Sequence, residues 1–423
     1  MKVAILVAGA GGMYCGSCMR DNRLAATLIE QGRDVVLLPL YTPIRTDETA
    51  VSDRPIYYGG ISVYLRQKSA FFRRLPPLVE RLLSAPGLLR LATRWAAKTN
   101  PQELGALTVS VLQGPEGFQR AELETLIGAL KVIQPSVVHL PDLMFVGIAH
   151  ALKAALRVSI VCSLAGEDIF LDALPEPFRG QAFELVRRGA LDVDRFAAPT
   201  KYFTDHATRH FGLPSERVEY VPMGIHVDDF KAANPPERPF TIGYLARICP
   251  EKGLAKLCEA LIALRKSGRD CRLQAAGYLG AGDGPYLQEI RKTLREGACD
   301  GAFEYLGEVT RAQKVAFLQK VHVLSVPTVY REAKGLYILE ALAAGVPVVQ
   351  PRHGSFPELI ESTGGGLLYD PSDPTGLEKS LAHLMDDPGL RRDSSQRVFT
   401  GRASFTDTIM AEATWSLYER LIG

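Results

Sequence analysis

Short apolar runs alternate with amphipathic helical periods along almost the whole chain. Runs at Val3 to Val7, Asp34 to Leu40, Ser136 to Leu140 and Val158 to Ser163 predict strands in the first half. Runs at Thr241 to Ala246, Arg272 to Ala276, Phe303 to Tyr305, Val321 to Val326, Val346 to Gln350 and Gly366 to Tyr369 predict strands in the second. Near-continuous apolar strands joined by helices fit parallel sheets covered on both faces, an α/β class. Two stretches break the rhythm. Residues 43–118 form a long insertion after the second strand, and Asp407 to Ile422 reads as one amphipathic helix carrying Trp415, Tyr418 and Leu421 at helical spacing.

A chain of 423 residues exceeds what a single core usually supports. The Pro-rich polar stretch Lys231-Ala-Ala-Asn-Pro-Pro-Glu-Arg-Pro239 reads as an interdomain linker and sets domains at 1–235 and 236–405, with the last helix at 406–423. Composition is that of an ordinary globular protein, at 47% apolar and 23% charged residues. A net charge of +2 gives no reason to expect nucleic acid as a partner. Seven cysteines scattered through the chain fit reduced thiols and a cytoplasmic setting. The first strand runs into glycines and is too short for a signal segment, and no apolar run is long enough to span a bilayer.

The insertion carries Arg66, Lys68, Arg73, Arg74, Arg81, Arg90, Arg94 and Lys98 against the single acid Glu80, interleaved with Phe71, Phe72, Trp95 and several leucines. Such a stretch either packs its leucines on its own domain as a helical subdomain or lies on an anionic membrane. The second option adds peripheral contact at the inner membrane face.

Candidate chemistry concentrates in Tyr330-Arg-Glu-Ala-Lys-Gly-Leu-Tyr-Ile-Leu-Glu340. An apolar run precedes it, Gly335 offers a bend, and a small-residue helix follows before Gly345 and another apolar run. Strand, loop, helix and strand in that order form a βαβ unit, and open parallel sheets bind ligands at the carboxyl ends of their strands. Eight residues apart on one helix, Glu332 and Glu340 would be rotated away from each other, so Glu332 belongs in the loop. Carboxylates beside free helix N-terminal amides suit a ligand with hydroxyls to donate and a phosphate to be held.

Upstream, Arg247 at the end of a strand and Lys252 in the following turn place two cations where a leaving diphosphate needs them. The first turn, Ala8-Gly-Ala-Gly-Gly-Met13, is glycine-rich directly after a strand, and Gly12 is a candidate for close backbone approach to a phosphate. The acid expected about twenty positions later is missing, since Leu38-Pro-Leu-Tyr41 stands there, so a nicotinamide or flavin cofactor is disfavoured. Cys15-Gly-Ser-Cys18 opens the first helix. It reads as small residues packing a helix N-terminus, or as a redox pair, or as half of a metal site completed by Cys162 or His139.

Taken together, Arg247 with Pro-Glu-Lys252-Gly, Glu332 to Glu340, Ala344-Gly-Val-Pro-Val-Val349, Gly354-Ser-Phe-Pro-Glu358 and Gly366-Leu-Leu-Tyr-Asp-Pro-Ser-Asp373 resemble the ordered signature of the retaining glycosyltransferases of family 4. The resemblance is dense over 240–400 and thinner over 1–235. It implies the GT-B architecture, two Rossmann-like domains with parallel sheets facing a cleft, the last helix crossing back to the first domain. It further implies a hexosyl transfer from a UDP- or GDP-sugar to a glycan, lipid or small-molecule acceptor. Arg247 and Lys252 would neutralise the diphosphate and Glu332 would bond the sugar. Gly335 and Leu336 would offer amides, Glu340 would take the ribose hydroxyls, and Glu358 would support the loop. Neither a metal nor a cofactor is implied. Two positions depart from the pattern: Lys334 replaces a frequent phenylalanine, and Ala165 replaces a histidine near the reacting carbon. His139, Glu167 and Asp168 are the candidates to take over on the acceptor side, against the alternatives of a buried strand-end histidine and helix caps. The rival readings are a nucleotide-sugar-binding subunit without transfer, kept alive by Ala165, and a GT-B epimerase or phosphorylase.

Overall fold

The computed structural model describes residues 1–9, 15–52, 101–280 and 282–423. The chain forms two compact units, Met1–Pro222 with Thr408–Gly423, and Met223–Asp407. Each is built on a six-stranded parallel sheet.

In unit 1 the strands are β1 (Lys2–Val7), β2 (Asp34–Pro39), β3 (Val137–Leu140), β4 (Ser159–Ser163), β5 (Arg195–Ala198) and β6 (Val218–Tyr220), in spatial order β2-β1-β3-β4-β5-β6. β1 lies between β2, with Val3 opposite Val35, and β3, with Ile5 opposite His139. In unit 2 they are β7 (Phe240–Leu245), β8 (Cys271–Ala276), β9 (Phe303–Gly307), β10 (Val323–Leu324), β11 (Val348–Pro351) and β12 (Gly366–Tyr369), in order β12-β11-β10-β7-β8-β9. Every residue of β7 and β11 is buried, as strands covered on both faces require.

Ten strands lie where the apolar runs place them. β5 and β6 are additional, because a four-residue strand opening on Arg195 and a three-residue strand containing Glu219 carry too little apolar signal to stand out. The run Val321 to Val326 contributes only Val323 and Leu324 to the ladder, although its flanks are buried too.

The stretch 231–239, expected to be the linker, belongs to unit 2, and the division falls at Pro222/Met223. Its prolines keep it out of helix and ladder, yet two of its amides find acceptors: Ala233 N–H donates to Ala344 O at 2.8 Å and Asn234 N–H to Gln319 O at 3.2 Å. Phe230, just ahead of it, is buried in the core of unit 2. Of the insertion, Pro101–Leu112 is helical, while the basic cluster from Arg66 to Lys98 lies outside the described residues. No helix among the described residues is long and apolar enough to cross a membrane.

The last helix, Asp407–Ile422, buries Met410, Ala411, Trp415, Leu417 and Tyr418 against Val3, Ile5, Val7, Leu24 and Leu28. Arg33 lies 4.6 Å from the centre of the Trp415 ring. The helix is also tied to the sheet by a polar contact, His139 Nδ1 to the Tyr418 hydroxyl at 2.5 Å. Tyr418→Phe should therefore lower stability by about 1–3 kcal/mol, since it strands a buried imidazole nitrogen. A urea midpoint unchanged from wild type would show that the contact contributes nothing.

Candidate active site

The strand order of unit 2 decides where its chemistry can gather. The chain begins at β7 in the middle of the sheet, runs outward through β8 to β9, then returns to β10 on the other side of β7. The loops leaving the carboxyl ends of β7 and β10 therefore diverge from a common point, where open sheets leave a crevice for ligands. The two strands are paired, Ile242 opposite Val323 and Gly243 opposite Leu324. Beyond them, Val329 N–H donates to Glu251 O at 3.0 Å and stitches the two exits together.

From β7 the chain passes Arg247, makes a 3-10 turn at Pro250–Lys252, and enters the helix Leu254–Lys266. From β10 it passes Tyr330 and Glu332 and enters the helix Leu336–Ala343 at Gly335, whose φ is +72°. Glu332 thus sits in the loop, as its spacing from Glu340 predicts.

The Glu332 carboxylate and the Lys252 ammonium meet at 2.6 Å. Both are largely buried, with side-chain exposures of 9% and 15%. The same oxygen, Oε2, accepts from the Tyr330 hydroxyl at 3.1 Å and from the Tyr337 hydroxyl at 3.2 Å. The two rings also flank the ammonium, their centres 5.0 and 5.2 Å from Nζ. Burial pushes the Glu332 carboxyl up, but the charge and hydrogen bond of Lys252, with smaller help from Lys334 and Tyr330, outweigh it and bring the group down to about 2. Burial first, and then the charge of Glu332, push both phenols up, so they stay O–H donors. Oε1 of Glu332 accepts no hydrogen bond among the described residues.

The backbone beneath Glu332 is held as tightly as its side chain. Ser355 N–H donates to Glu332 O at 2.8 Å. Gly354, at φ +60°, packs so closely that a Cβ there would lie 2.6 Å from both the N and the O of Glu332.

Arg247 is exposed, lies within electrostatic reach of Glu251 and Tyr330, and makes no ion pair among the described residues. The first amides of Leu336–Ala343 have no acceptor within their own helix and carry the positive end of its dipole. Leu336 is half-buried at that end. Glu340 lies deeper on the same helix, 3% exposed, with Oε1 2.6 Å from Lys314 Nζ and 3.8 Å from Arg311. The expected ribose acceptor is thus half of a buried ion pair, and its Oε2 accepts no hydrogen bond among the described residues. Glu358 occupies the first turn of Phe356–Thr363, directly after the Gly354-Ser355 support, and Lys334 is half-buried beside Glu332.

The sequence-selected residues of unit 1 are committed to one another. His139 bonds Ser163 through Nε2 at 2.8 Å as well as Tyr418 through Nδ1, and burial, then the charge of Arg20, bring its imidazole down to about 3. Glu167 accepts from the amides of Ala165 at 2.9 Å and Leu143 at 3.1 Å, which fixes the loop where the histidine of the pattern is missing. Asp168 pairs with His206 at 2.9 Å. Gly12 lies outside the described residues. Among the described residues no group of three or more His, Cys, Asp or Glu side chains is placed to hold a metal.

Tyr330, Tyr337, Lys314 and Arg311 did not figure in the sequence reading. The tyrosines flank Glu332 at positions −2 and +5, a spacing with no fixed meaning until the loop and first helical turn fold over one another. Lys314 and Arg311 lie on the helix Arg311–Leu318 that precedes β10, and their acidic partner Glu340 is 26 positions from Lys314.

Comparison with known proteins places these features in context. Residues 227–399 match the family described as glycosyl transferases group 1, and residues 106–229 match glycosyltransferase family 4. The chain is 28% identical over 245 residues to a GDP-mannose-dependent alpha-(1-6)-phosphatidylinositol monomannoside mannosyltransferase of Mycobacterium tuberculosis, a match spanning 54% of this chain and 60% of that protein. It is 25% identical over 406 residues to a D-inositol 3-phosphate glycosyltransferase of Pseudarthrobacter chlorophenolicus, covering 86% of this chain and 92% of the relative. In fold it is similar to a sucrose-phosphate synthase from Thermosynechococcus elongatus, with a TM-score of 0.73 at 15% identity over 100% of this chain and 99% of that one. It is also similar to Anabaena Alr3699/HepE in complex with UDP, with a TM-score of 0.71 at 13% identity over 99% and 100% of the two chains.

The depressed Glu332 carboxyl has a consequence for stability. Its pairing contributes above pH 4.5 and is lost as pH falls toward about 2, a contribution on the order of 3 kcal/mol. Between those values the urea midpoint of wild type should fall more steeply than that of Glu332→Gln. Parallel pH profiles would show that the pair is energetically silent.

Proposed function

The chain belongs to the family 4 glycosyltransferases and has the GT-B fold, and from that premise we propose that it moves a hexosyl unit from a nucleoside-diphosphate sugar to an acceptor hydroxyl with retention of configuration. The observation that supports this reading is the Lys252–Glu332 pair next to the N-terminus of Leu336–Ala343 at the switch point of unit 2, with Arg247 within electrostatic reach of Tyr330. A diphosphate brings two to three negative charges. Arg247, Lys252 and the helix amides are the groups that answer them.

Lys252 need not leave Glu332 to take part, because an ammonium has three N–H donors and Glu332 uses one. Glu332 Oε1 then accepts from a sugar hydroxyl, and Glu340 Oε2 from the ribose. In the transfer itself, the bond from the anomeric carbon to the departing phosphate oxygen breaks. The bond to the acceptor oxygen forms on the same face, and the acceptor's proton passes to the departing phosphate. Charge grows on the diphosphate as the bond breaks, so cations already in place and shielded from water lower the barrier. Relatives whose names specify GDP-mannose, and a fold neighbour solved with UDP, point to GDP- and UDP-sugars as the donors to try first.

Incubating the protein with a panel of UDP-, GDP- and ADP-sugars and following free nucleoside diphosphate tests the reading. One donor should turn over slowly even without acceptor, and Arg247→Ala or Glu332→Gln should lower its kcat/KM by about 10²–10³-fold. Unchanged turnover in both variants would overturn the site, and silence across the whole panel would favour a subunit that binds the sugar without transferring it.

A further inference from the structure

The glycosyl-transfer reading leaves the Cys15-Gly-Ser-Cys18 segment unused. These two cysteines open the helix Gly16–Glu30, which follows β1 in unit 1. Cys15 is the N-cap residue, with extended backbone at φ −120° and ψ 123°, and Cys18 is the third residue of the first turn. Their side chains are hydrogen-bonded to each other, and the backbone N–H of Gly9 points at the Cys18 sulfur. Cys15 is half-exposed while Cys18 is 2% exposed. The other five cysteines are all buried.

Each of these features has a chemical meaning. Residues three apart on a helix bring their Cα atoms within about 5–6 Å, inside the window a disulfide needs. A sulfur at a helix N-cap faces unpaired amides and the positive end of the dipole, which favour its thiolate. The contact with Cys15, burial and the charge of nearby Asp21 push the Cys18 thiol up, and Cys18 is the member of the pair that is closed off from solvent. A half-exposed cysteine at the helix N-cap, touching a buried cysteine three residues on, has the arrangement of an attacking thiol with its resolving thiol.

We propose that Cys15 and Cys18 form a thiol–disulfide exchange site that reacts with low-molecular-weight disulfides, Cys15 attacking and Cys18 resolving. In the first step the Cys15 thiolate attacks one sulfur of the small disulfide. The S–S bond breaks, one small thiolate departs, and a mixed disulfide remains on Cys15. Cys18 then gives its proton to solvent and its sulfur attacks Cys15 Sγ, expelling the second small thiolate. The two cysteines lose two electrons and two protons, and the small disulfide takes them up as two thiols. The protein disulfide closes the first turn of the helix that carries the buried Arg20–Asp21 pair, whose charges meet at 2.6 Å.

The test uses the full-length protein equilibrated in glutathione buffers of increasing oxidised fraction, quenched with acid and alkylated. Native protein should lose two of its seven alkylatable thiols, its intact mass should fall by two hydrogens, and peptide mapping should join Cys15 to Cys18. Cys18→Ser should gain one glutathione on Cys15, and Cys15→Ser should gain none on Cys18. Seven alkylatable thiols in the folded wild type at every buffer ratio would overturn the site, as would a first adduct on any cysteine other than Cys15. The wild-type measurement stands whether or not either variant folds.

Discussion

The contact between Lys252 and Glu332 is the point on which the rest of unit 2 converges. It joins the loop after β7 to the loop after β10, two strands adjacent in space and some eighty residues apart in the chain. Each charge taken from water costs several kcal/mol, and a pair at 2.6 Å offsets that cost only when its remaining valences are also met. Here two phenol hydroxyls complete the carboxylate oxygen and their rings flank the ammonium. Removing either partner of such a pair typically costs about 3–5 kcal/mol because it leaves the other charge buried alone. The glycine at 354 belongs to the same constraint, since any side chain there would push on the backbone of Glu332.

A second lysine–glutamate pair repeats the design lower on the same helix. Glu340 is held by Lys314 as Glu332 is held by Lys252, each through one carboxylate oxygen at 2.6 Å. The two pairs cancel in charge, so the field around them is set by the charges outside them: Arg247, Lys334 and the helix N-terminus, all positive, with Glu251 offsetting part of Arg247. A site that is internally neutral and positive in its surroundings favours an anion there and hydroxyl donors within. A nucleoside diphosphate joined to a sugar presents those groups in that order.

How much of this was legible in the sequence follows from which signals are local. The alternation of apolar runs and helical periods marks ten of the twelve strands, because buried parallel strands are dense in Val, Ile, Leu and Ala. β5 and β6 escape because each is short and carries a charge that pairs outward, Arg195 with Glu219. The loop position of Glu332 follows from helix geometry alone, and Arg247 and Lys252 from their place after a strand. Tyr330 and Tyr337 do not, since an aromatic residue near a glutamate is unremarkable until the chain folds both onto one oxygen. The Pro-rich stretch looked like a linker because prolines forbid regular structure, but forbidding a helix is not the same as forbidding contact. Ala233 and Asn234 are bonded into unit 2.

The side chains around the strand ends of the two units are engaged in different ways. In unit 1, β1 lies between β2 and β3, so its switch point collects the loops after β1 and β3. Around these loops and the neighbouring loop after β4, His139 spends both ring nitrogens on Tyr418 and Ser163, Glu167 spends its carboxylate on two backbone amides, and Asp168 is paired with His206 through Oδ2 while its buried Oδ1 has no hydrogen-bond partner among the described residues. Buried groups with their valences filled hold elements in place, and the neutral imidazole of His139 fixes the last helix to the sheet. In unit 2, Glu332 and Glu340 each keep one oxygen without a hydrogen-bond donor among the described residues, and Arg247 makes no ion pair among them, although the charge of Glu251 bears on it. Unspent valence at a strand end is what a ligand can use; on the proposed reading the glutamates, the arginine and the helix N-terminus of unit 2 use it, and in unit 1 it is left on Asp168 Oδ1 rather than on His139.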